Sequence, residues 1–207
     1  MTWLVRMARE VFTACIIAVL LALLFRTFVL QVYRVPSVSM EPTLRAGDLL
    51  VVNKFVLRRG SDQWNPWLPQ RPVDRGDVLV FPNPSEAGDL LVKRCVAREG
   101  DHVQLRDKEL LLQREVVTEP SARRNDERVY PDSTFLPENL RTRDQFGPVV
   151  VPHQELFCLG DNRDQSLDSR HWGTIEERRL VGLAVLGVRS SATTEGADPG
   201  SRVFRIR

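Results

Sequence analysis

Two hydroxyls, one lysine and one dense polar loop are the parts of this sequence that could do chemistry. The stretch Pro36-Ser37-Val38-Ser39-Met40-Glu41-Pro42-Thr43-Leu44 holds Ser37 and Ser39 between two prolines. Proline fixes its own φ and biases the residue before it toward extended backbone, so a side chain in such a stretch can be aimed. A serine hydroxyl is a poor nucleophile until a base takes its proton. Serine and proline also make ordinary loops, and this stretch alone does not decide the matter. A candidate base lies in Leu90-Leu91-Val92-Lys93-Arg94-Cys95-Val96. Alternate side chains of a strand share a face, which puts Lys93 with Leu91 and Cys95 and sends Arg94 the other way, toward water or an acidic partner. Desolvation penalises the ammonium form, so a lysine among apolar groups gives up its proton more easily, as a base must. The same lysine could equally snorkel from a strand edge. The third stretch, Gly160-Asp161-Asn162-Arg163-Asp164-Gln165-Ser166-Leu167-Asp168-Ser169-Arg170-His171-Trp172-Gly173, is rich in hydrogen-bonding side chains and bounded by glycine. It reads as a cross-braced loop that could support a site, although a solvated loop would show the same density.

These residues need elements to hold them. After Tyr33 the chain offers short strands with Gly, Pro and Asp punctuation: Asp48 to Val56, Asp77 to Phe81, Leu90 to Val96, Glu155 to Leu159 and Leu180 to Val188. His102 to Leu105 and Glu109 to Val117 read as a hairpin around Arg106-Asp107-Lys108. No long amphipathic helical pattern follows, so the expected fold class is mostly β. Thr118 to Phe146 is charged and weakly periodic, expected to be a surface excursion with little structure of its own. Ser190 to Ser201 is small and polar, a linker or frayed loop.

Ahead of this lies an apolar run, Val11 to Phe25, that resumes as Phe28-Val29-Leu30 after Arg26 and Thr27. Taken as Val11 to Leu30 it makes about 30 Å of helix, the thickness of a bilayer core. It has no polar face, which argues against a buried core helix, and no small-x-small site follows it, which argues against a cleaved leader. Arg6 and Arg9 precede it and Arg26 and Arg34 flank its other end, so charge alone does not orient it.

The 207 residues suit one anchor and one domain with a real core, at 43% hydrophobic and 27% charged composition. With 29 basic and 27 acidic residues, the formal charge of +2 argues against nucleic acid as the main partner. Of Cys15, Cys95 and Cys158, only Cys95 and Cys158 are placed to pair; three buried thiols is the preferred reading. His102, His153 and His171 are scattered, with no metal-binding spacing, and no cofactor is expected.

An N-terminal span, then Ser37 to Leu44, then Arg75-Gly76-Asp77-Val78-Leu79-Val80-Phe81, then Lys93-Arg94, then Gly160 to Gly173, in this order, resembles a bacterial type I signal peptidase. The resemblance implies a single N-terminal transmembrane helix followed by a β-rich signal-peptidase-like catalytic domain. It implies a membrane-bound serine endopeptidase, located in the cell inner membrane with its catalytic domain on the extracytoplasmic (periplasmic) side. Such an enzyme removes signal peptides from secreted preproteins through an acyl-enzyme. Its partners are then preprotein substrates and the lipid bilayer, with neither metal nor nucleic acid. By position, Ser39 is implied as nucleophile and Lys93 as base. Ser37 matches an oxyanion-hole hydroxyl, Ser166 a serine that hydrogen-bonds the lysine amine, and Asp168 with Arg170 a bracing ion pair. Two departures stand out: Cys95-Val96-Ala97-Arg98-Glu99-Gly100-Asp101 replaces a Gly-x-Pro-Gly-Asp turn, and Gln165 replaces an asparagine. The expected division is an anchor at 1–33 (span 11–30), a protease domain at 34–189 with the excursion at 118–146, and a C-terminal tail at 190–207.

Other readings compete. His171 with Asp161 or Asp168 could serve a Ser-His-Asp hydrolase, but there is no Gly-x-Ser-x-Gly elbow. A Ser/Lys self-cleaving repressor would carry a DNA-binding domain in place of the apolar run. A tethered β-domain that binds without cutting would not be expected to keep both Ser39 and Lys93. Finally, Trp64-Asn65-Pro66-Trp67-Leu68-Pro69 could dip into the headgroup region, or could pack as a local mini-core.

Overall fold

The computed structural model describes residues 2–57, 70–86, 88–189 and 202–206, with the side chains of 2, 4 and 24–28 left aside. The Trp64–Trp67 loop and the Ser190–Ser201 linker lie outside the described residues. The chain opens with helix α1, Thr2–Phe28, and passes at once into strand β1, Leu30–Arg34. The expected span is therefore cut short at its far end, because Leu30 leaves the helix to pair with Asn53. Among the described residues no helix is long and apolar enough to cross a membrane; the described side chains of α1 include Arg6, Arg9 and Glu10.

Every strand expected from the sequence is present. They are β2 (Leu49–Asn53), β3 (Val78–Pro82), β4 (Leu90–Arg98), β9 (Glu155–Leu159) and β11 (Gly182–Arg189). Together with β1, β10 (Ile175–Glu176) and β12 (Arg202–Arg205) they form one sheet, ordered β1-β2-β11-β3-β4-β9-β10, with β12 on β11. The C-terminal segment is thus not only a tail. Phe204 lies over Gly187, where a Cβ would meet its ring at 2.3 Å, and the Arg189 guanidinium stacks on the same ring, 5.0 Å from its centroid.

The unbroken apolar run of β3 is explained by burial on both faces. Val78 and Val80 enter one core with Met40, Leu44, Leu50, Val52 and Val92. Leu79 and Phe81 enter another with Cys95, Leu156 and Cys158. The neighbouring β4 does the same until a bulge between Cys95 and Ala97 shifts its register on β9. Beyond it, Val96 and Ala97 join a third core, beneath the second sheet.

That second sheet runs β7-β6-β5-β8: Glu115–Val116, Glu109–Leu112, His102–Arg106 and Phe146–Val150. The expected long second arm of its hairpin is two strands. Gln113 and Arg114 both take positive φ (54° and 72°), as Asp107 and Lys108 do (50° and 69°), so each pair turns the chain tightly. The supposedly featureless excursion also has structure: helix α2, Glu138–Asp144, ends with Arg143 and Asp144 buried in an ion-pair network. Its cohesion is ionic rather than apolar, which is why hydropathy gave no sign of it.

Candidate active site

Ser39 sits in a single 3-10 turn, Val38–Met40, whose flanking residues Ser37 and Glu41 are both extended, Glu41 because Pro42 follows it. Met40, fully buried, pins the turn into the first core. This leaves Ser39 facing β4, and the Lys93 amine donates to Ser39 Oγ at 2.6 Å across 54 positions of sequence. Both are enclosed, at 6% and 2% exposure. No carboxylate among the described residues lies within ion-pair distance of the amine. Burial accordingly pulls the Lys93 pKa from 10.5 down to about 8, with the Asp168 charge partly opposing and Arg170 adding a smaller repulsion. The Ser37 hydroxyl lies 3.0 Å from Ser39 Oγ, on the same small patch.

The wall facing this pair is the polar loop. β9 leads to Gly160, where a Cβ would meet Ser39 O at 2.5 Å and Ser166 Oγ at 2.2 Å. Only glycine lets the strand end close against the serine turn. The Asn162 N–H donates to Ser39 O (3.0 Å) and its side-chain amide to Val38 O (3.2 Å), fastening the turn from outside. Asp168 and Arg170 form a fully buried two-pronged pair, Nε to Oδ1 and Nη2 to Oδ2, each 2.8 Å, beginning helix α3 (Ser169–Trp172). Burial alone would raise the Asp168 pKa. The Arg170 charge, its hydrogen bonds and the Gly160 N–H outweigh that and bring it down to about 2. Arg170 also donates to Arg143 O and Arg163 O, tying α2 to the loop.

The Ser166 hydroxyl departs from its expected place. It is buried against Gly160 and beside Asp168, whose carboxylate it helps to stabilise, and forms no hydrogen bond to the Lys93 amine. His171 also stays apart. It is half-buried beside α2, with burial lowering its pKa, and it makes no hydrogen bond to Ser39. A general base must reach the proton that it takes, so the geometry favours Lys93 over His171.

Several supports were invisible in sequence. Arg94, on the opposite face of β4 from Lys93, grips buried Asp161 with two hydrogen bonds of 2.7 Å, and Thr43 Oγ1 donates to the same carboxylate at 2.5 Å. One carboxylate thus links the serine segment, the lysine strand and the loop. Its only forewarning was alternation, which left Arg94 needing water or an acid. Arg163 holds Glu119, 44 positions away, and Lys108 reaches Asp164, 56 positions away. Neither pair has a periodic signature. Of the thiols, Cys95 and Cys158 are buried as expected, whereas Cys15 is exposed on α1.

Residues 8–188 match the family described as signal peptidase, peptidase S26. Signal peptidase I T of Bacillus subtilis is 38% identical over 172 residues, covering 83% of this chain and 80% of that one. Signal peptidase I of Bacillus licheniformis is 35% identical over 180 residues, 83% of each chain. The probable signal peptidase I-2 of a Synechocystis species is 32% identical over 192 residues, 88% of this chain and 72% of that one.

Proposed function

This chain belongs to the signal peptidase family, peptidase S26, and we propose that it removes signal peptides from preproteins by attack of Ser39, with Lys93 as general base. The observation that carries the assignment of roles is the 2.6 Å contact between a desolvated lysine amine and a serine hydroxyl. Neutral Lys93 accepts the Ser39 proton as Oγ attacks the scissile carbonyl, and an acyl-enzyme forms. The lysine then returns the proton to the leaving amine. Water, deprotonated by the same amine, releases the acyl group. Developing charge on the carbonyl oxygen needs donors in place beforehand. Ser37 is suited to this, since its hydroxyl can turn from Ser39 Oγ toward an incoming oxygen, beside the Ser39 N–H. Asp168 and Arg170 neutralise one another, so the loop holds its shape without placing an uncompensated carboxylate beside the amine.

Helix α1 is the proposed membrane anchor, within residues 1–33, and residues 34–189 the protease domain, extended by β12. Support comes from the exposed apolar side chains around α1, among them Val11, Phe12, Ile17, Val19 and Leu21, which the β domain does not cover. A signal peptide is itself an apolar segment held at a bilayer, so anchoring the enzyme there brings the cleavage site within reach. The domain is placed on the extracytoplasmic side.

A cleavage assay with a purified preprotein tests the function: wild type releases the mature protein, while Ser39→Ala and Lys93→Ala release none. Cleavage by either variant at the wild-type rate would remove the dyad. Resistance of the chain to carbonate extraction from membranes, with the domain degraded by protease added from outside, tests the anchor and its orientation.

A further inference from the structure

The two buried cysteines occupy directly opposed positions on adjacent antiparallel strands, Cys95 of β4 against Cys158 of β9. Both backbone groups of Cys95 point away from β9: its N–H donates to Asp77 O and its carbonyl accepts from Gly76 N–H, each at 2.8 Å. The Cys158 N–H is likewise turned outward, donating to Ser169 Oγ. The two residues therefore form a non-hydrogen-bonded pair. In such pairs the Cα atoms approach to about 4.5 Å and the side chains lie closest. Disulfides accept Cα separations from about 4.4 Å upward, so this pair falls at the short end of the permitted range. Both side chains enter the same apolar cluster, and the thiols are near enough to hydrogen-bond one another, which with burial raises the Cys158 pKa.

We propose that Cys95 and Cys158 form a reversible cross-strand disulfide that switches off the Lys93–Ser39 pair. The effect on activity rests on the function assigned above; formation of the bond does not. A small-molecule disulfide such as oxidised glutathione supplies the oxidising equivalents. One cysteine thiolate attacks a glutathione sulfur and releases one glutathione thiol. The second cysteine thiolate then attacks the protein-bound sulfur of the mixed disulfide and releases the other. The protein loses two electrons and two protons, and the oxidant gains both. A bond between positions this close departs from the usual Cα separation of about 5.5–6 Å, and strained disulfides are the readily reduced ones, which suits a switch rather than a permanent staple. Burial of both thiols confines exchange to moments when β4 and β9 open.

The consequence for the site follows from position. Lys93 lies two residues before Cys95 on the same face of β4, and Gly160 lies two after Cys158 at the end of β9. Disulfides most often hold their Cα atoms about 5.5–6 Å apart, wider than the about 4.5 Å of a non-hydrogen-bonded pair, so closing the bond pushes the strands apart beside both residues. Gly160 has no slack against Ser39 and Ser166. The Lys93–Ser39 contact of 2.6 Å has none either, and a displacement of about 1 Å in a reacting pair can cost on the order of 100-fold in rate.

The test uses the full chain carrying Cys15→Ser, which removes the exposed thiol and intermolecular products. It is equilibrated in reducing and in oxidising glutathione buffers, without urea and with urea below the unfolding transition to admit strand opening. Acid quenching, alkylation and peptide mapping read the thiols, and preprotein cleavage reads the activity. The expected result is a Cys95–Cys158 linked peptide in oxidising buffer, with cleavage reduced at least tenfold and restored by dithiothreitol. A Cys95→Ala chain should keep its activity in both buffers. Free thiols throughout, even in urea, would overturn the proposal, and so would a linked peptide with undiminished cleavage. A reduced chain that fails to cleave at all would count against the proposed function instead, while the linked peptide would still report on the pair.

Discussion

Lys93 and Arg94 are adjacent cations on one buried strand, and they are treated in opposite ways. Arg94 has a carboxylate to itself, Asp161, held by two short hydrogen bonds and further fixed by Thr43. Lys93 has a neutral hydroxyl and apolar walls. The guanidinium cannot be deprotonated in a protein, so it must be paired, and its pairing knits three segments together. The ammonium can be deprotonated, so it is left unpaired, and desolvation brings its pKa down to about 8. Alternation along β4 makes the division possible, by giving each cation its own side of the sheet. On the proposed mechanism, one neighbour serves structure and the other serves chemistry.

Changing the chemistry of the first residue should give the largest effect. Lys93→Arg puts a permanent cation beside Ser39, and preprotein cleavage should fall by about 1,000-fold or more, since a positioned base contributes up to about 10,000-fold. Normal cleavage by this variant would mean that the two cations are not distinguished by proton transfer. Next is Asp161→Asn, which leaves Arg94 buried without its charge partner. Thermal and urea unfolding should show a loss of about 3–5 kcal/mol, and an unchanged midpoint would contradict the structural role given to the pair.

Removing the Lys93 charge altogether should act in the other direction. A lysine whose folded pKa is depressed from 10.5 to about 8 destabilises the folded chain wherever the unfolded chain holds the proton more tightly. That penalty is complete below about pH 8 and fades as pH rises to about 10.5. Lys93→Met should therefore stabilise the protein at pH 7, by up to about 3 kcal/mol, while abolishing cleavage. The gain should shrink above pH 8. Lower stability for this variant at pH 7 would show that the amine is comfortably charged where it sits. Ser37→Ala should lower kcat/KM by about 100-fold with little change in unfolding midpoint. The smallest effect is expected for Thr43→Val, about 1 kcal/mol of stability from the lost hydrogen bond to Asp161.

The same contrast marks how far the sequence could be read. Lys93 was legible because alternation places it among Leu91 and Cys95, and Ser39 because two prolines frame it. The strands were legible wherever apolar residues ran between turn signals, as in Val78–Phe81 and Glu155–Leu159. What escaped was held by charge over distance. Arg94 with Asp161, Arg163 with Glu119 and Lys108 with Asp164 join residues 44 to 67 positions apart, and no local pattern foretells such partners. Helix α2 escaped for the same reason, since Arg143 and Asp144 bury it through ion pairs rather than through an apolar face. The turn at Gln113-Arg114 was hidden because neither residue is the glycine or asparagine that usually marks positive φ. Ser166 was carried by resemblance alone, and its hydroxyl rests on Gly160 instead of on the amine.

The pH dependence of kcat/KM on a preprotein substrate tests the difference between the two cations most directly. If Lys93 must be neutral to act, the rate rises about tenfold per pH unit in the acid limb and levels off near pH 8. A limb that keeps rising to beyond pH 10 would mean that the amine is an ordinary lysine, and a profile flat from pH 6 to 10 would mean that it is not the base at all.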